Sequence, residues 1–282
     1  TQGVSSAASD VYKRQYSSSD TTPGVISSYA NRCGVAANWC LAAPGDFVSP
    51  SAGGRVYGTS FATPAVTGAL ALVQQVYPWM NADLLRQTIL STATSMNDTA
   101  TYGWGLLNAA KAVNGPALFT QSLALGANVN VSFNGMSSTF SNDIGGDAGL
   151  IKSGTGSLTL SGNNTYSGTS RVSGGTLNIT GAVSSGVQVD AGANLGGDGG
   201  RIGGNVVNNG RLNNSGAGLT INGNYTGSAS SILANDINST LVVDGTATLG
   251  NSHFVATVPT GSGNATTCLL YTSDAADDTP CV

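Results

Sequence analysis

Hydrophobic positions in this chain follow two different periods, and the change comes near residue 116. The run Ala65-Val66-Thr67-Gly68-Ala69-Leu70-Ala71-Leu72-Val73 is apolar on nearly every helical face, which predicts a buried helix ending near Tyr77-Pro78. Asn81 or Asp83 can cap a second helix, in which Leu84, Leu85, Ile89 and Leu90 have the spacing of a core face. A third short helix is expected from Leu106 to Val113, stopped by Asn114-Gly115-Pro116. No helix is expected after it. Residues 16–57 read as short strands and loops, including Phe47-Val48 after Pro44-Gly45.

From Gly146 onward the period becomes two. Ser157-Leu158-Thr159-Leu160, Thr176-Leu177-Asn178-Ile179, Val187-Gln188-Val189, Leu219-Thr220-Ile221 and Thr240-Leu241-Val242-Val243 alternate as half-buried strands do. Gly162-Asn163-Asn164, Gly174-Gly175, Asn209-Gly210 and Asn222-Gly223 supply turns between them. Rungs this small cannot each close a core, so the pattern predicts a stacked β-solenoid. A β-sandwich is the other all-β arrangement compatible with it.

Composition agrees with turn-rich β structure: charged residues are 9% of the chain, Gly numbers 40, and no glutamate occurs. Hydrophobic content of 40% argues against charge-driven disorder. The net charge is −4, which gives no electrostatic reason to expect a nucleic-acid partner.

The chemistry concentrates in Gly58-Thr59-Ser60-Phe61-Ala62-Thr63-Pro64. Gly58 lets a substrate backbone approach, because it has no Cβ. Ser60 would sit where helix N–H groups point outward, so a developing negative charge would be stabilised there. Pro64 is placed in the first turn, where a missing N–H costs little. The plainer alternative is a serine capping an ordinary helix.

At these residues the chain resembles the subtilisin-type serine proteases, whose nucleophile motif runs Gly-Thr-Ser-x-Ala/Ser-x-Pro. Leu41-Ala42-Ala43-Pro44-Gly45 resembles that family's strand ending in Ala-Pro-Gly. Tyr102-Gly103-Trp104-Gly105-Leu106-Leu107-Asn108-Ala109 resembles the turn and last helix of its catalytic domain. Ser28-Tyr29-Ala30-Asn31-Arg32-Cys33-Gly34, with Trp39-Cys40 after it, looks closer to the protease passengers of Gram-negative autotransporters. The stretch from Gly149 to Gly168, continuing through Val172-Ser173-Gly174-Gly175-Thr176-Leu177, resembles the autotransporter passenger repeat. That repeat belongs to right-handed parallel β-helices. The resemblance implies a mixed fold: the C-terminal part of a subtilisin-like α/β domain, followed by a right-handed parallel β-helix.

It also implies what the chain lacks. A serine hydroxyl needs an adjacent base, and in this family the order is Asp, His, Ser. No histidine precedes Ser60, and neither Asp-Ser/Thr-Gly nor His-Gly-Thr occurs. The family's oxyanion-hole asparagine is not found upstream either, which leaves the Ser60 backbone N–H as the remaining oxyanion donor. His253, the only histidine, reads as an ordinary surface or core residue.

The ends of the chain suggest why. Residues 5–15, written in codons, resemble a transposase-type adapter used in DNA sequencing libraries. The reverse complement, read one base in, encodes Cys268 to Asp277. Residues 1–15 and 268–282 are therefore read as adapter-derived, and the natural fragment as cut at both ends. Setting aside Lys13, Arg14, Asp10, Asp274, Asp277 and Asp278 moves the balance of charge to −2. Setting aside Cys268 and Cys281 leaves Cys33 and Cys40, which read as a disulfide worth roughly 2–3 kcal/mol in the chain-entropy view, with two buried thiols as the alternative. The pair has no second Cys/His pair to complete a zinc site, and no cofactor is called for. Gly196-Gly197-Asp198-Gly199-Gly200 reads as a Gly-rich turn and not a calcium repeat.

The expected organisation is 16–116 for the peptidase segment, 117–145 for a linker or first rungs, and 146–267 for the passenger helix. The expected function is peptide-bond hydrolysis through an acyl-enzyme on Ser60, with Gly58, Thr59 and Pro64 as supporting motif positions. This chain itself is expected to be inactive for want of the His and Asp. Protein or peptide substrates are implied, with secretion to the bacterial surface and an outer-membrane β-barrel after residue 267. The competing function is a non-catalytic surface β-helix adhesin carrying a degenerate protease-like segment.

Overall fold

The computed structural model describes residues 9–12, 26, 30–49, 51 and 53–257. The helical segment begins with strand β1 (Ser9–Tyr12), which pairs in parallel with β2 (Ala42–Pro44). β1 lies within the stretch read as adapter-derived. A strand edge offers N–H and C=O groups that pair with any extended segment, so this pairing requires no particular sequence. Strands β3 (Asp46–Ser49) and β4 (Gly54–Tyr57) form an antiparallel pair. The reading of residues 268–282 falls outside the described residues.

Helix α1 (Thr59–Val76) follows directly, and α2 (Ala82–Ser91) after a short turn. Asn81 caps α2, its side chain accepting from the Leu84 N–H at 2.8 Å, and Leu84, Ile89 and Leu90 are buried as their spacing requires. One expectation for α1 is corrected. It is buried along the single stripe Ala62, Val66, Ala69 and Val73, while Leu72 and Val76 are 50% and 51% exposed. A uniformly apolar sequence shows that a helix can be buried all round. Burial itself needs a neighbour on every side, and among the described residues α1 packs chiefly on β1, β2, α2 and a later one-turn helix.

The third helix is also shorter than expected. After α3 (Thr99–Tyr102), residue Leu106 exchanges backbone hydrogen bonds with Thr94 at 2.8 Å each way, so its backbone is committed to strand-like pairing. α4 is only Ala109–Ala112, started by Asn108, whose side chain accepts from the Lys111 N–H. A further turn, α5 (Gln121–Ala124), lies beyond Pro116, where no helix was expected. Its first N–H, on Gln121, is satisfied by the Asp147 carboxylate at 3.0 Å, a partner distant in sequence.

From β5 (Asn128–Ser132) and β6 (Ser137–Phe140) onward the chain coils into a parallel β-solenoid. Two seven-stranded sheets and one five-stranded sheet run along it, each strand pairing with its counterpart one coil away. This parallel register excludes the sandwich. Leu158, Leu177, Leu195, Leu212 and Leu233 stack in one row, and all point into the core. Asn164, Val183, Ile202 and Ile221 form the inward row of the third sheet. Buried Asn164 is tolerated because it donates to the Gly162 and Ala182 carbonyls and accepts from the Ile144 N–H. Gly196 and Gly197 belong to a strand, and Asp198 after them accepts from the Ala217 N–H.

Candidate active site

The path into Ser60 is set by backbone geometry. β2 is held on one side by residues 105–107: Ala42 N–H donates to the Gly105 carbonyl at 2.8 Å, and Leu107 N–H to the Ala42 carbonyl at 2.7 Å. Gly45 follows β2, and its carbonyl accepts from the Gly58 N–H at 2.9 Å. The β3–β4 hairpin therefore leaves and returns to one point, delivering Gly58 to the end of α1. Gly58 adopts φ 153° and ψ 158°, a region essentially reserved for glycine.

Gly58 is the N-cap of α1 and offers no side chain to the first turn. Thr59 and Ser60 are the first two helical residues, and Ser60 is exposed. The hydroxyl thus stands at the positive end of an 18-residue helix, where the dipole and the leading N–H groups favour negative charge. Pro64 requires a correction. Because the helix starts at Thr59, Pro64 is its sixth residue and lies in the second turn. Having no N–H, it cannot make the helical bond to the carbonyl of Ser60, so the ladder is interrupted within the Gly58–Pro64 motif itself.

Cys33 and Cys40 are joined in a disulfide, both buried, and they bracket a 3₁₀ helix, Gly34–Trp39. Sequence reading did not foresee how this loop is tied down. The Arg86 guanidinium of α2 lies 4.7 Å over the Trp39 ring, and the Trp104 indole donates to the Asn38 carbonyl at 2.9 Å. Gly103 permits the close approach: at φ 58°, a Cβ there would lie 2.1 Å from the Cys40 carbonyl oxygen. The Tyr-Gly-Trp-Gly string was the available signal, though only the packing assigns its partner. Asp98 caps α3, and the hydrogen bond from Thr101 holds its carboxyl below the usual range.

Among the described residues no histidine stands beside Ser60. His253 lies on the last described strand, His253–Thr257, exposed, and pairs with Ile232 at the far end of the solenoid. Among the described residues no group of three His, Cys, Asp or Glu side chains could hold a metal ion.

Comparison with known proteins places these features. Residues 4–105 match the subtilase family, and residues 150–179 the passenger-associated-transport-repeat. The chain is 34% identical over 277 residues to the autotransporter lipoprotein NalP of Neisseria meningitidis serogroup B, covering 93% of this chain and 25% of that protein. It is 30% identical over 234 residues to an extracellular serine protease of Serratia marcescens, covering 62% of this chain and 22% of the relative. It is 42% identical over 108 residues to serotype-specific antigen 1 of Mannheimia haemolytica, covering 33% and 12%. The chain thus spans a quarter or less of the length of these curated relatives. The segment that matches the subtilase family is thus followed by a β-solenoid that holds the match to the passenger-associated-transport-repeat, the same pairing that the likeness to NalP spans.

Proposed function

We propose that this chain carries the nucleophile end of a subtilisin-type serine endopeptidase. Ser60 Oγ attacks a peptide carbonyl, a histidine supplied by upstream sequence takes its proton, and an upstream aspartate orients that histidine. The Ser60 backbone N–H contributes to the oxyanion site, and Gly58 and Thr59 admit the substrate backbone. The observation that carries the reading is the exposed Ser60 at the N-terminus of α1. Proteins or peptides are the substrates. The passenger likeness supports a bacterial-surface or secreted location, with an outer-membrane β-barrel on the C-terminal side. The Cys33–Cys40 disulfide suits an oxidising compartment.

A fluorophosphonate probe tests this. The chain as it stands is expected to label negligibly at Ser60, since loss of the base costs about a millionfold in kcat, a magnitude established on subtilisin itself, a relative of this chain. A longer chain with Asp-Ser/Thr-Gly and His-Gly-Ser/Thr in frame upstream is expected to label rapidly, and Ser60→Ala to abolish labelling. A longer chain that has both motifs and leaves Ser60 unlabelled sinks the proposal.

The second reading, a non-catalytic surface β-solenoid adhesin, is favoured by one observation: the only histidine is on the last described strand. An intact upstream sequence without either motif decides for it.

A further inference from the structure

The helical segment meets the solenoid end-on, at the one place where the first coil has no earlier coil to pair with. β5 and β6 are the terminal strands of the two seven-stranded sheets. Left bare, they would present unpaired backbone groups and an open apolar interior. The turn between α1 and α2 covers this end at β6 and at Phe133, just after β5, while α2 and α5 pack on β5 itself. The Tyr77 hydroxyl donates to the Thr139 carbonyl of β6 at 2.8 Å, and the Trp79 indole donates to Ser138 Oγ at 2.6 Å. The Trp79 ring stacks on Phe133 with centroids 4.2 Å apart, and Tyr77 meets Phe140 edge-on at 5.6 Å. Burial pushes the Tyr77 phenol up to about 12, so this donor persists through the neutral range.

Neighbouring contacts continue the cover. Arg86 of α2 donates to the Leu123 carbonyl of α5 at 2.7 Å, and the Ser141 N–H to the Asn114 carbonyl at 2.9 Å. The opposite end of the solenoid has no such cover among the described residues: on the strand His253–Thr257, Phe254 is 50% exposed and Val255 37%.

We propose that the α1–α2 turn, through Tyr77 and Trp79, is the N-terminal cap of the solenoid. This is a structural function of the peptidase segment separate from hydrolysis: it keeps water, and the strand edges of a second copy, off the first coil. Repeat proteins need a terminal unit of this kind for solubility. The function does not depend on Ser60 being catalytic.

The test is hydrogen exchange on the whole 282-residue chain, comparing amides of β5 and β6 with those of Thr176–Ile179 and Asn194–Gly197. Trp79→Ala is expected to speed exchange in β5 and β6 by at least about tenfold and to leave the inner coils protected. Trp79→Phe, which keeps the ring contact, is expected to restore most of the protection. In a double-mutant cycle, Trp79→Ala and Phe133→Ala are expected to couple by roughly two- to tenfold in the opening equilibrium. Unchanged exchange in β5 and β6, or an equal rise through every coil, overturns the proposal. Should Trp79→Ala not fold, Tyr77→Phe removes a single hydroxyl and is expected to give a smaller increase confined to the same strands; no increase there overturns it equally.

Discussion

The solenoid and the helical segment bury their apolar residues by different means. In the solenoid each coil is the partner of the next, so Leu158, Leu177, Leu195 and Leu212 are all fully buried and stack in register. In the helical segment, α1 is as apolar as any of these strands yet encloses only one stripe. A repeat carries its own neighbours, whereas a single helix depends on elements supplied from elsewhere in the chain. The two ends of α1 differ likewise: Ser60 at one end is exposed, and Tyr77 fixes the other to the first coil.

The contrast can be broken by mutation. Leu177→Ala, in the middle of the stack, is expected to cost about 2–5 kcal/mol, read as a lowered urea midpoint. A cost below about 1 kcal/mol would mean that the coils collapse around the cavity and are not packed as described. Replacing both Cys33 and Cys40 with serine is expected to cost roughly 2–3 kcal/mol, with the loss of protection confined to residues 30–45 and 98–107.

Lys152 gives a comparison in pH. It is fully buried in the solenoid, with Nζ donating to the Ser153, Gly154 and Gly174 carbonyls and 4.8 Å over the Phe133 ring. Burial pushes its pKa down from 10.5 to about 8. Between those values the unfolded chain binds the proton more readily than the folded one. Solenoid stability is therefore expected to rise as pH climbs from about 8 to 10.5 and to be level below about 8. Lys152→Met is expected to flatten that rise; a rise that survives it assigns the effect to another group. The smallest expected effect is on the exposed face of α1: Leu72→Ala should change stability by no more than about 0.5 kcal/mol. A loss near that of Leu177→Ala would show that Leu72 has a partner.

Much of the candidate site was legible because its signals are local. Gly58 is required by a backbone conformation that other residues avoid, and Ser60 follows it at fixed spacing into the helix. The alternating runs were legible as strands for the same reason, since period two places Leu158 and Leu160 on one face whatever lies opposite. Pro64 was misplaced by a turn because the helix begins at Thr59, ahead of the apolar run from Ala65 that signalled it. α5 was missed because the group that satisfies its first N–H, Asp147, comes after it in the chain.

The sequence by itself determined the Gly58–Pro64 motif, the strand periodicity, the pair of cysteines within one short loop and the lack of any histidine before Ser60. All of these are properties of neighbours along the chain or of composition. Only the tertiary structure decided which face of α1 is covered, that Gly45 holds Gly58, that Arg86 reaches Trp39, and that Tyr77 and Trp79 close the first coil. The physical reason is that hydrophobicity specifies a surface to be removed from water without naming its partner. The partner is settled by shape and by hydrogen bonds that span dozens of residues, and these exist only once the chain has folded back on itself.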